Sequence, residues 1–296
     1  MRGAKDFLMS EPDLGGSPTV RRFVVGAQLR KLREARGISR EKAGYAIRAS
    51  ASKISRIELG RVGFKQRDVA DLLTLYGIIE EDQRDAVLLL AEQANDPAWW
   101  QTYEEVLPDW FHTYVGLEEA ASLIRSYEVQ FLPGLLQTAG YARAIITAGI
   151  PGLPDEEVDR RVELRTRRQR ILHGTEPTHL WAVIDESALR RMTGGRAVIQ
   201  AQIRHLLAVG DRPNVTIQMM PLEPGAHAVD GGGFTILRLP DADMPDVVYI
   251  EHLTGAQYLD KPDHVDRYVQ VMTRLTVEAL TPEGTADALA KILTQL

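Results

Sequence analysis

Cysteine is missing from all 296 residues. Its absence excludes disulfides, thiolate-bound metals and a cysteine nucleophile, and it fits a reducing cytoplasm. Long apolar runs are missing as well, and nothing approaches the ~20 residues that cross a bilayer. Residues 1–18 carry basic side chains but no apolar core and no small-residue cleavage site, so they read as a flexible tail, not an export signal. The seven histidines include no pair at metal-binding helical spacing, and no serine sits in a nucleophile elbow. Glu251 and His252 are adjacent and point to opposite faces of a strand. Asp185 and Glu186 suit a helix start. Gly231, Gly232 and Gly233 precede a strand and read as a hairpin turn, without the helix that a phosphate cradle needs. The sequence therefore offers no catalytic residue, no metal site and no cofactor, and it reads as a non-enzyme.

What is present is ordinary in bulk and uneven in detail. Hydrophobic residues make up 44% and charged residues 26%, the balance of a globular protein, and the length suits two domains better than one. The net charge of −6 hides a division. Thr19 to Tyr76 holds 14 Lys+Arg against 5 Asp+Glu, a local charge of +9, which leaves −15 for the remainder. A basic head on an acidic body suits a polyanionic partner gripped by the head alone.

Within that head, Ser39–Gly60 (SREKAGYAIRASASKISRIELG) reads as two short helices joined by a tight turn, each opened by a serine cap, Ser39 and Ser50. Ile54 and Ile57, three apart, share a buried face. Ala51, Ser52, Lys53, Ser55 and Arg56 form the opposite face, small, polar or basic, as a helix entering the major groove of duplex DNA requires. Further helices are expected over Arg21–Arg36, Asp68–Tyr76 and Glu81–Ala94, giving a five-helix module. This pattern resembles the helix-turn-helix of lambda-repressor-like (XRE-type) DNA-binding domains. The resemblance implies that Ala51, Ser52, Lys53, Ser55 and Arg56 read or flank bases, with Arg56 suited to two hydrogen bonds to guanine. It places Ser39 and Arg40 at phosphates, and it pairs Arg33 with Glu58 as an internal ion pair. Ser50 at the head of the second helix, and Arg61 and Lys65 just beyond it, are expected at phosphates too, the last two by charge and position. Two positions depart from the family pattern. Arg48 stands where glycine is usual, inviting left-handed strain, and Gly44 replaces a helical alanine.

Beyond Asn95 the character changes. Trp99, Trp100, Tyr103, Trp110, Phe111 and Tyr114 cluster and are expected to pack between domains, since no basic residue interleaves them for base stacking. Leu117–Gln130, Gly134–Ala148 and Asp155–Leu172 read as helices, the arginines of the last forming a solvated face. Strands are expected at Leu180–Ile184, Val215–Met220, Phe234–Leu239 and Val247–Glu251, with a fifth at Ala256–Leu259, and helices at Val198–Ala208, Val265–Ala279 and Thr285–Leu296. The expected fold is thus multidomain: a tail over 1–18, an all-α DNA-binding domain over 19–95, and an α/β (α+β) domain over 96–296 with a mixed four- to five-stranded sheet.

The motifs LPDWFHTYVGLEEAASLIRSYEVQFLPGLLQTAGYARAI, LWAVIDESALRR, VTIQMMP, GGFTILRLP and VVYIEHLTGAQYLD are similar to the C-terminal domain of WhiJ-like actinobacterial regulators. That likeness implies a DNA-binding transcription factor, often encoded beside a small BldB-like companion protein in an antitoxin-like arrangement, and the chain as a whole reads as a cytoplasmic, repressor-like regulator. A homodimer on double-stranded DNA is expected, because one short recognition helix reads too few base pairs. For the second domain two readings stand: a pocket for a small-molecule effector, or a docking surface for the dimer and the companion. The absence of a recognisable polar ligand cluster favours docking.

Overall fold

The computed structural model describes residues 18–223, 225, 229, 231–240 and 244–296. The chain divides into two compact units, one ending at Gln101 and one running Thr102–Leu296. The expected tail lies outside the described residues except for Pro18. That proline is buried and opens the first helix, where its fixed φ and missing N–H cost nothing.

The first unit is helical: α1 Pro18–Ala35, α2 Arg40–Ala46, α3 Ala51–Glu58, α4 Gln66–Leu75 and α5 Glu81–Gln93. Its core gathers Leu29, Ile54, Leu73 and Ala91, none of them exposed to solvent, together with Tyr76. Gly26 sets the crossing of α1 on α3. A Cβ there would lie 2.6 Å from the Ile57 carbonyl oxygen, so only glycine lets the two helices meet this closely. Gly44 makes room for the connection between α2 and α3. Its Cβ would lie 2.5 Å from the Ala49 carbonyl oxygen, so the glycine is required where the sequence alone read a helix-weakening substitution.

The second unit is an α+β domain built on one mixed sheet of six strands, in the order β3-β2-β1-β4-β5-β6. The strands are β1 Leu123–Glu128, β2 His179–Asp185, β3 Val215–Met220, β4 Phe234–Arg238, β5 Val247–His252 and β6 Gly255–Leu259. Strands β1, β2 and β3 are parallel, and β4, β5 and β6 continue antiparallel from β1. The helices are α6 Asp109–Ala120, α7 Ala139–Gly149, α8 Asp155–Arg168, α9 Glu186–Arg190, α10 Arg196–Gly210, α11 Pro262–Glu278 and α12 Pro282–Gln295.

Three expectations are corrected here. The segment read as one helix over Leu117–Gln130 is the end of α6 followed by β1, a central strand, which raises the strand count to six. Gly231–Gly233 do not close a hairpin, because the strands on either side of that connection, β3 and β4, are separated by β2 and β1. The arginines of α8 do not form a wholly solvated face. Arg168 is buried and grips Glu118 with two bonds of 2.7 Å, and Arg165 donates to Gln137 at 2.9 Å. Glu157 pairs with Arg161 at 2.8 Å, whereas Glu163 takes Arg160.

One sheet face carries Tyr127, Val183, Ile236 and Val248 against Val265, Met272 and Leu275 of α11. The aromatic run divides between the units. Trp99 and Trp100 meet edge to face in the first, and in the second Tyr114 packs on Phe111 and on Tyr249, at 5.1 and 4.2 Å between ring centroids. Asp185 caps α9 through the Ser187 N–H at 2.8 Å, a structural task for that carboxylate.

Candidate nucleic-acid interface

Helices α2 and α3 and their connection form the candidate site. The connection turns at Arg48, whose φ of 54° makes it the one non-glycine residue in the left-handed region among the described residues. The Ala49 N–H closes the turn on the Gly44 carbonyl at 2.8 Å. Ser50 then caps α3, its hydroxyl oxygen accepting the Lys53 N–H at 3.2 Å. That leaves the serine's own proton for an outside acceptor.

Helix α3 is amphipathic in the sense that matters for insertion. Ile54 and Ile57 are buried, while Ser52 and Arg56 are exposed, and Ala51 and Ser55 lie half-buried beside them. Arg56 makes no hydrogen bond or ion pair with any described residue, so its five N–H donors face outward unspent. Beyond the helix, Arg61 and Lys65 are exposed, and Lys65 stands at the start of α4.

Helix α3 is held in place by charge as well as by packing. Arg33 of α1 donates through Nε and Nη2 to the two oxygens of Glu58, and through Nη1 to the Ile38 carbonyl at 2.8 Å. Glu58 and Arg33 are both buried. The hydrogen bond to Glu58 raises the Arg33 pKa further above its already high value, so the guanidinium keeps its charge despite burial. A buried charge stranded by loss of its partner is costly, typically about 3–5 kcal/mol.

Three residues expected to contact DNA are committed internally. The Lys53 ammonium is bound to Asp68 of α4 at 2.8 Å, on a carboxylate that is itself buried. Lys53 therefore ties α3 to α4 instead of reaching freely for bases. Arg40 gives its Nε to Glu58 at 3.2 Å, which leaves the two terminal nitrogens for a phosphate. Ser39 accepts the Lys42 N–H and also bonds the Glu41 carboxylate. That carboxylate is held below the usual range by its backbone N–H and by Ser39. An acid beside Ser39 disfavours a phosphate there.

One exposed residue had no place in the sequence reading. Tyr45 of α2 is 88% exposed, unusual for an aromatic ring on a seven-residue helix, and its hydroxyl is a donor of the kind that meets DNA backbones. The signal available was its place on the polar side of α2, between the buried Ala43 and Gly44 and the buried Ile47.

The second unit holds a different kind of charge cluster. Glu128, at the end of β1, is raised to about 8 by burial and by the charge of Glu251, with Arg165 opposing. Tyr249 donates to Glu251 at 2.8 Å. Among the described residues no group of His, Asp and Glu is arranged to hold a metal ion, and no described helix is long and apolar enough to cross a membrane.

Compared with known families, residues 24–87 match a model described as a helix-turn-helix domain, which covers α2, α3 and most of the first unit. Residues 111–291 match a model described as a domain of unknown function (DUF5753). No curated protein and no solved structure matches the chain.

Proposed function

The chain belongs to the DUF5753 family and carries a helix-turn-helix domain, and from that premise we propose that it is a sequence-specific transcriptional regulator of the repressor-like, XRE-type kind. The observation that carries the proposal is the outward face of α3: Ser52 and an unpartnered Arg56, on a helix pinned from behind by Ile54, Ile57 and the Arg33–Glu58 pair. Arg56 and Ser52 read base edges, with Ala51 and Ser55 in contact range. Ser50, Arg61, Lys65 and the free nitrogens of Arg40 hold phosphates.

In this reading the protein works in the cytoplasm as a homodimer, with half-sites about 34–36 Å apart or a multiple of that spacing. It catalyses nothing. The second unit mediates self-association and the binding of a partner or effector. The likeness to WhiJ-like regulators supports a small companion protein as one such partner. Retention of fragmented genomic DNA from the source organism on the purified chain tests the proposal. Enrichment of a small set of fragments is expected, and uniform retention or none would refute it.

A further inference from the structure

The second unit contains a cavity of about 300 Å³ between α11 and the β4–β6 end of the sheet. Phe234, Ile250, Leu259 and Val271 give it an apolar wall. The Tyr268 ring stands edge-on to Phe234 with 5.0 Å between centroids, which extends that wall with a packed aromatic pair. Among the described residues of the lining, the ionisable groups with a cationic form are His264 and Arg267, three apart on α11, and none is a carboxylate. This is notable in a part of the chain where acid outnumbers base, since everything outside Thr19–Tyr76 sums to −15. Arg267 is exposed at the cavity and makes no hydrogen bond or ion pair with any described residue. The opposite rim is Gly231, Gly232 and Gly233. Open space lies where side chains at Gly231 and Gly232 would project, as expected where the backbone leaves room for a ligand.

We infer that this cavity binds a small amphipathic carboxylate: an apolar body against the sheet, its head group paired with Arg267. The class follows from size and charge. At roughly 30 Å³ per non-hydrogen atom, the share of a water molecule in the liquid, the cavity holds about ten such atoms. One permanent guanidinium matches one monoanion, and its fork matches the two oxygens of a carboxylate. The site would serve as the effector site of the regulator proposed above. The inference rests on that reading only for its regulatory meaning, since binding itself requires no DNA.

The test is calorimetric titration of the full-length chain, without DNA, with octanoate and with octanamide, which has the same size and shape and no charge. Octanoate is expected to bind at least tenfold more tightly. Arg267→Gln should weaken octanoate at least fivefold and leave octanamide unchanged. Gly232→Leu should abolish binding of both by filling the cavity. Absence of octanoate binding, equal affinity for the two compounds, or an Arg267→Gln variant that binds octanoate as the parent does would each overturn the inference. Should Gly232→Leu fail to fold, Arg267→Gln decides alone, being an exposed substitution. Failure here leaves the DNA-binding proposal standing, because fragment retention by the first unit is a separate measurement.

Discussion

Glu128 shows how much one side chain can depend on neighbours far along the chain. Burial, and then the charge of Glu251, lift its carboxyl to about 8. The folded chain therefore keeps a proton that the unfolded chain releases in the ordinary carboxylate range. Between about pH 5 and 8 the native state binds more protons, so stability contributed by this group falls as pH rises through that window. Glu128→Gln removes the titration. We expect its thermal unfolding at pH 7.5 to correspond to a gain of ~1–2 kcal/mol after allowance for partial solvent access, with little change at pH 4.5. An equal shift at both pH values would show that the carboxyl is not the cause. None of this was legible in the sequence, where Glu128 stood within a segment read as helix. The commitments of Lys53 to Asp68 and of Arg40 to Glu58 were hidden for the same reason: each partner lies fifteen or more residues away, and helical spacing reports only neighbours three or four apart. Arg48 was legible, because the motif fixes which residue must turn the chain.

At the scale of the element, that turn stores strain. Arg48 holds φ at 54°, a conformation that costs a side-chain-bearing residue roughly 1–2 kcal/mol and glycine far less. Arg48→Gly should stabilise the first unit by about 1 kcal/mol, read from its thermal or urea transition, and destabilisation would mean that the side chain supports the turn. The neighbouring Gly44 allows no such freedom, since the Ala49 carbonyl occupies the place of its Cβ. The five helices of the first unit were legible because α2 to α5 begin at a serine cap or with acid in the first turn, α1 shows apolar residues at helical spacing, and several stop at a glycine, as at Gly37, Gly60 and Gly77, all with positive φ. Strand β1 was not. Leu117, Ala121 and Ile124 follow a helical spacing, and within β1 Ile124, Ser126 and Tyr127 are all buried, which erases the alternation that marks a half-exposed strand. The position of β1 between β2 and β4 is set by pairings over 50 residues away, beyond any local pattern.

The whole molecule is divided by charge, +9 between Thr19 and Tyr76 and −15 elsewhere. A polyanion is attracted to the first and repelled by the second, so affinity should fall as salt rises, with a slope set by the phosphate contacts of the first unit. Lys65 is an exposed cation at the start of α4. Lys65→Ala should weaken binding to all duplexes alike and reduce the slope of log affinity against log salt by about one. An unchanged slope would remove Lys65 from the interface. This division, and the order of an α-helical module before an α+β domain, were legible from composition and motif. The strand order of the sheet and the cavity beside α11 were not, because both arise from packing between segments distant in the chain.

The most direct test compares the full-length chain and its Arg56→Ala variant in selection from a pool of random duplexes. The parent should enrich a defined base pattern. The variant should lose preference at one or two positions of that pattern, worth about 1–3 kcal/mol, while keeping the rest. If the parent enriches nothing, or the variant selects an identical pattern, then α3 does not read DNA through Arg56.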